Sequence, residues 1–158
     1  MKTLALHGTG MVVTTDLGDD TTDIHPKNKK DVGIRLAKLA LMKHYGVSVS
    51  GALSPLYRSM SVQGDQAIVF LEFTGTGLKQ EGKTVTGFFM AGPDQKFYPA
   101  TARLSGSSVI VSSKDVSNPV AVRYAFSNTA IGNVYSREGM PLSPFRTDNW
   151  EVDTSPAK

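Results

Sequence analysis

The sequence predicts an α+β protein: a strand–loop–helix unit over residues 1–46, then a mostly antiparallel β-sandwich over residues 47–150. Two observations carry this. Apolar residues recur at helical spacing at Val32, Leu36 and Leu39, with Ile34, Ala40 and Leu41 widening the stripe. Beyond residue 47, short runs rich in β-branched and aromatic residues alternate with turn-forming Gly and Asp. A length of 158 residues, 40% of them hydrophobic, suits one sizeable soluble domain, or one small domain plus a fragment.

In the first unit, Met11–Thr15 is short, apolar and β-branched, as a buried strand requires. The run from Asp16 to Asp23 is acidic, small and Gly-containing, which is loop chemistry. Pro26 has the fixed φ of a first helical turn, so a helix begins near it. Gly46 supplies the left-handed residue that ends it, with Lys43 and His44 placed favourably for the helix dipole. One strand and one helix bury too little to offset their ordering entropy. The stripe therefore needs a cover: the sandwich, a hydrolase body outside these residues, or another copy of the chain.

In the second unit the expected strands are Leu56–Val62, Ala67–Phe73, Thr86–Ala91, Lys96–Leu104, Ser108–Ser112 and Ala121–Phe126. Val109 and Val111 point one way and Ile110 the other, so that strand is covered on both faces. Residues 151–158 read as a frayed tail.

Composition narrows the function. The formal charge is +3, and the one basic cluster, Lys27, Lys29 and Lys30, is followed at once by Asp31. That is a solvated helix start, not the basic stripe with interleaved aromatics of a nucleic-acid binder. No apolar run approaches the ~20 residues of a membrane span, and the opening apolar stretch is too short for a secretory signal. With no cysteine, disulfides, thiolate nucleophiles and Cys-based metal sites are ruled out.

The chemistry-bearing residues lie in the first unit. Asp23-Ile24-His25-Pro26 follows a strand and precedes a helix, where α/β enzymes place reacting side chains. His25 has a proton affinity suited to general base work, and Asp23 beside it suits orientation of the imidazole. The residues alone equally allow a structural histidine or an aspartate that caps the helix.

The run Gly10–Asp19, the motif Asp23-Ile24-His25-Pro26-Lys27-Asn28-Lys29, and Val32-Gly33-Ile34-Arg35-Leu36-Ala37 together resemble the sialate O-acetylesterase family of SGNH-type hydrolases. The resemblance continues through Tyr45-Gly46, Ser50-Gly51 and Pro55–Met60, with Ala52-Leu53-Ser54 standing as a small insertion. It returns at Asn118–Phe126 and Ser143–Asp148, and so covers nearly the whole chain. It implies that residues 1–46 are the last strand, catalytic loop and last helix of an α/β hydrolase domain. It also implies a serine esterase acting on acetylated carbohydrate or another small ester, without a cofactor or metal, in a family often secreted or periplasmic. His25 maps onto the general base and Asp23 onto its acidic neighbour. Related enzymes often place the acid three residues before the histidine, where this sequence has Thr22, so Asp20 is an alternative. The family's nucleophilic serine and oxyanion-hole residues lie upstream of this region. The resemblance therefore implies that the nucleophile belongs to sequence outside these residues and that the chain alone is a weak esterase.

Other candidates carry less. Gly106-Ser107-Ser108 reads as a turn between strands, and Ser48, Ser50 and Ser54 have no supporting motif. His7 and His44 lack partners at metal-ligand spacing, and Asp19, Asp20 and Asp23 lack the regular EF-hand pattern. Gly75-Thr76-Gly77 is followed by no helix pattern, so it is no dinucleotide fingerprint. Trp150 and the tyrosines suit packing more readily than sugar stacking. Two other classes of function remain: a non-catalytic sandwich that binds carbohydrate or a partner domain, and an esterase site assembled by homo-oligomerisation around an unconventional nucleophile.

Overall fold

The strand with the clearest alternation lies at the centre of the molecule. In Ser108–Ser112 the side chains of Val109 and Val111 are fully buried while Ile110 on the opposite face is half-buried. In the computed structural model, residues 2–18, 25–127 and 131–152 are described. In chain order the strands are β1 (Leu56–Gln63), β2 (Gln66–Glu72), β3 (Leu78–Gln80), β4 (Phe88–Ala91), β5 (Phe97–Pro99), β6 (Thr101–Ser105), β7 (Ser108–Ser112), β8 (Ala121–Tyr124), β9 (Val134–Ser136) and β10 (Phe145–Arg146). One helix, α1 (Lys29–Lys43), precedes them, with a single 3-10 turn at Lys2–Ala5.

Two four-stranded antiparallel sheets form, ordered β1-β2-β7-β6 and β10-β8-β4-β5, with β3 and β9 pairing apart. Val69, Val109 and Val111 of the first sheet share one core with Phe88, Met90, Val122, Tyr124 and Phe145 of the second. Sheets with one polar face are stable only when their apolar faces cover each other. The class is α+β, with a β-sandwich as its larger part.

Five of the six expected strands correspond to single observed ones. The sixth, Lys96–Leu104, is two: β5 pairs with β4 in one sheet and β6 with β7 in the other. The break comes where Pro99 lacks an N–H and the Ala100 N–H turns to the Phe88 carbonyl at 3.0 Å. The chain thus crosses between sheets in a single step. Strands β3, β9 and β10 are two or three residues long, too short to show a period.

The first unit corrects two expectations. Met11–Thr15 is not a strand: residues 11–14 are irregular and residues 15–17 turn. A β-ladder needs a neighbour, and here the Val13 carbonyl is instead taken by Arg35 at 2.6 Å. The helical stripe is also narrower than its periodicity implies. Leu39 is buried and Val32 half-buried, but Leu36 is 50% exposed, and Ile34 and Leu41 are exposed too. The residues α1 buries are Arg35 and Leu39, one turn apart. Gly10 packs so closely on Leu39 that a Cβ there would lie 2.7 Å from a leucine methyl carbon.

Candidate active-site loop

The helix begins three residues later than Pro26 suggests, because Asn28 is its cap. Asn28 Oδ1 accepts the Asp31 N–H at 3.1 Å, and its Nδ2 donates to Asp31 Oδ2 at 2.7 Å. An acceptor here satisfies one of the N–H groups that every helix start leaves unpaired. Lys29 Nζ donates to the Pro26 carbonyl at 2.6 Å. His25 therefore stands on an exposed bend three residues ahead of the cap. The far end of the helix behaves as expected: Gly46 adopts φ +67°, and the Val47 N–H reaches the Leu41 carbonyl at 2.9 Å.

The approach to the loop is held from α1. Arg35 NH1 and NH2 donate to Asp16 Oδ1 and Oδ2 at 2.7 and 2.6 Å, a bidentate pair with both side chains largely buried. The hydrogen-bonded Asp16 carboxylate holds the Arg35 pKa above its ordinary value, against the opposing effect of burial. The same carboxylate adds to the burial that raises the Tyr135 hydroxyl on β9. Asp16 is thus fastened to α1 and Asn28 caps its start, with His25 between them in the sequence.

Asp23, Asp20, Asp19 and Thr22 lie outside the described residues, so His25 is the one member of the expected site among the described residues. Among the described residues no group of His, Asp and Glu is gathered to hold a metal ion. His7 is exposed, and His44 terminates α1, its ring edge-on to Tyr45 with centroids 4.8 Å apart. Gly106 makes the β6–β7 turn with φ +59°. Ser48 and Ser50 are exposed, while Ser54 is buried. The Gly75-Thr76-Gly77 loop is pinned by Glu138, whose Oε1 accepts from the Thr76 N–H at 2.8 Å and hydroxyl at 2.7 Å. Trp150 packs tilted on Phe97 at 5.6 Å. The Phe97 ring also carries the Arg123 guanidinium at 4.0 Å, and Arg123 is held by Asp148 through two hydrogen bonds.

Sequence reasoning missed the Arg35–Asp16 anchor and the Asn28 cap. The cap had a signal, since an Asn three residues before an acid opens many helices. The anchor had none, because a charged residue on a helix gives no sign of burial until its partner is known.

Fold and loop together define a β-sandwich that carries an N-terminal helix and a histidine-bearing approach loop. No protein-family model matches the chain, and no curated protein matches it. Among solved structures the chain is similar to a carbohydrate acetylesterase from Xanthomonas citri, with a TM-score of 0.88 and 46% identity over 94% of this chain. The chain spans 34% of that protein's length. The relationship is therefore with a carbohydrate esterase, of which these residues correspond to about a third.

Proposed function

We propose that the chain is the histidine-bearing portion of a serine carbohydrate O-acetylesterase of the sialate O-acetylesterase, SGNH type. The observation that carries this is the 46% identity to a carbohydrate acetylesterase over 94% of the chain. In support, His25 stands on an exposed bend three residues before Asn28, the cap of α1, within the sequence motif Asp23-Ile24-His25-Pro26. Residues 1–46 then belong to the hydrolase domain and residues 47–150 are the sandwich beside it.

The chemistry runs through His25. A serine hydroxyl from sequence outside these 158 residues attacks the acetyl carbonyl while His25 takes its proton. The C–O bond to the sugar breaks as His25 returns that proton to the leaving oxygen. Water, deprotonated by His25, then cleaves the acetyl-serine and releases acetate. Asp23 orients the imidazole and stabilises its charged form.

The test is a chimera in which this chain replaces the corresponding third of the Xanthomonas citri esterase. It should hydrolyse p-nitrophenyl acetate, and His25→Ala should lower kcat by ~10²–10⁴-fold. Asp23→Asn should cost less. Turnover unchanged in His25→Ala would remove the histidine from the mechanism.

A further inference from the structure

The charges of α1 are turned the wrong way for a helix whose outer side meets water. Between Asp31 and Lys43 the helix carries two, Arg35 and Lys38. Arg35 is buried against Asp16, and Lys38 is half-buried, its Nζ 3.5 Å from where a Cβ on Gly51 would stand. Both are thus held against the rest of the chain, as is Leu39. The opposite side has no charge from Gly33 to Leu41. There Ile34 is 41%, Leu36 50% and Leu41 40% exposed, and Gly33, Ala37 and Ala40 between them are exposed too. Spacings of three, four and seven residues gather these six on one broad face.

A helix that borders solvent keeps its charges on the outer side, and one that is apolar on both sides is covered on both. An exposed apolar face of this kind marks an interface. The sandwich does not supply the cover, because it already meets the other side of α1, where Leu39 lines one hollow with Leu53 and Leu56. The 158 residues correspond to 34% of the similar esterase, and the rest of such a protein needs an apolar surface on this portion to pack against. His25 stands on the bend just ahead of α1. A body that brings a serine to that imidazole therefore lies beside the first turns of the same helix.

We infer that the Ile34, Leu36, Ala37 and Leu41 face of α1 is the surface on which the nucleophile-bearing body of the esterase docks, so that sandwich and body hold the helix from opposite sides. This rests on the reading that residues 1–46 belong to the hydrolase domain, and adds which face meets that domain and which meets the sandwich. The chain has no cysteine, so introduced thiols report burial directly. Ala37→Cys and Leu41→Cys probe the face, and Asp65→Cys, in the exposed β1–β2 turn, is the control. Maleimide labelling is read peptide by peptide by mass spectrometry. In the isolated chain all three should react at similar rates. In the chimera with the Xanthomonas citri esterase, positions 37 and 41 should react at least about ten-fold more slowly while the control keeps its rate, since a covered thiol is inert until the interface opens. If the chimera does not fold, thiols at the aligned positions of that esterase carry the same test. Hydrolysis of p-nitrophenyl acetate is measured on the same samples. Slow labelling in an inactive chimera would sustain the docking face and count against the esterase reading. Fast labelling at 37 and 41 in an active chimera would overturn the docking face and leave His25 its role. Protection of the isolated chain that grows with its concentration would give the face to a second copy and overturn the inference.

Discussion

Arg35 grips Asp16 with both arms of its guanidinium, at 2.7 and 2.6 Å, and spends its NH1 a second time on the Val13 carbonyl at 2.6 Å. One helical side chain thereby holds both Val13 and Asp16 against α1. The pair is 9% and 10% exposed, so removing one member strands a charge in a largely dry place. Arg35→Met should cost about 3 kcal/mol in urea unfolding. The Arg35→Met/Asp16→Leu double variant should cost less than the single, since no charge is left unpaired. A loss of only about 0.5 kcal/mol in the single variant, the scale of a surface pair, would mean that other contacts hold the segment.

Tyr124 plays the corresponding part inside the sandwich. Its hydroxyl accepts the Val134 N–H at 3.0 Å, and burial pushes its pKa up to about 12. Tyr124→Phe leaves a buried N–H without a partner and should cost about 1–3 kcal/mol. Gly132 passes directly over the ring, and a Cβ there would overlap the Tyr124 hydroxyl. Gly132→Ala should therefore destabilise the chain, and the Gly132→Ala/Tyr124→Phe pair should be non-additive because the two share one contact. Thermal unfolding of the four proteins checks this; strict additivity would separate the two sites.

The Thr76–Glu138 contact predicts an acid-sensitive loop. Hydrogen bonds from Thr76, side chain first and then backbone, hold Glu138 down to about 2, against an ordinary value near 4.5. A carboxylate depressed by folding stabilises the folded state in full above the ordinary value, and the gain is lost as pH falls towards 2. Glu138 is a half-buried surface residue screened by solvent, so the effect is local, seen in the loop and not in global stability. Thr76→Val removes the hydroxyl but keeps the N–H, and the Glu138 carboxyl should then titrate at a higher pH by carbon-detected NMR. An unmoved titration would assign the depression to some other donor.

How much of this was legible in the sequence varies with how local each cause is. Val109 and Val111 announce β7 because alternation is written into five consecutive residues. Gly46 announces the helix end for the same reason. The division of Lys96–Leu104 between two sheets was hidden, since nothing within the run says that its halves pair with β4 and β7. The helix pattern misled in a definite way. Leu36 fits the period, yet it stands 50% exposed, while the face towards the body holds Arg35 and Leu39. Periodicity reports which residues share a face, and it gives no sign that the face turned inward carries Arg35, paired with Asp16. At the candidate site, His25 came from a motif, while the pairing of Asp16 with Arg35 was visible only once the chain was folded.

The reading of His25 also predicts what the isolated chain does with an ester. An exposed imidazole accepts a proton from water, but a serine esterase draws its rate from an activated hydroxyl and from donors placed around the developing oxyanion. Loss of even one such donor typically costs ~10²–10³-fold. If both belong to sequence outside these residues, the 158-residue chain should hydrolyse p-nitrophenyl acetate no faster than free imidazole at equal concentration. His25→Ala should then barely change the chain's rate, although the same substitution cripples the chimera. A serine-directed fluorophosphonate should leave the chain's mass unchanged. Ser48 and Ser50 are exposed and Ser54 is buried in an apolar wall, so labelling at any of them would place a nucleophile within the chain. Burst kinetics with a trapped acetyl-serine would have the same consequence, and the proposed division of the catalytic groups between these residues and sequence outside them would have to be redrawn.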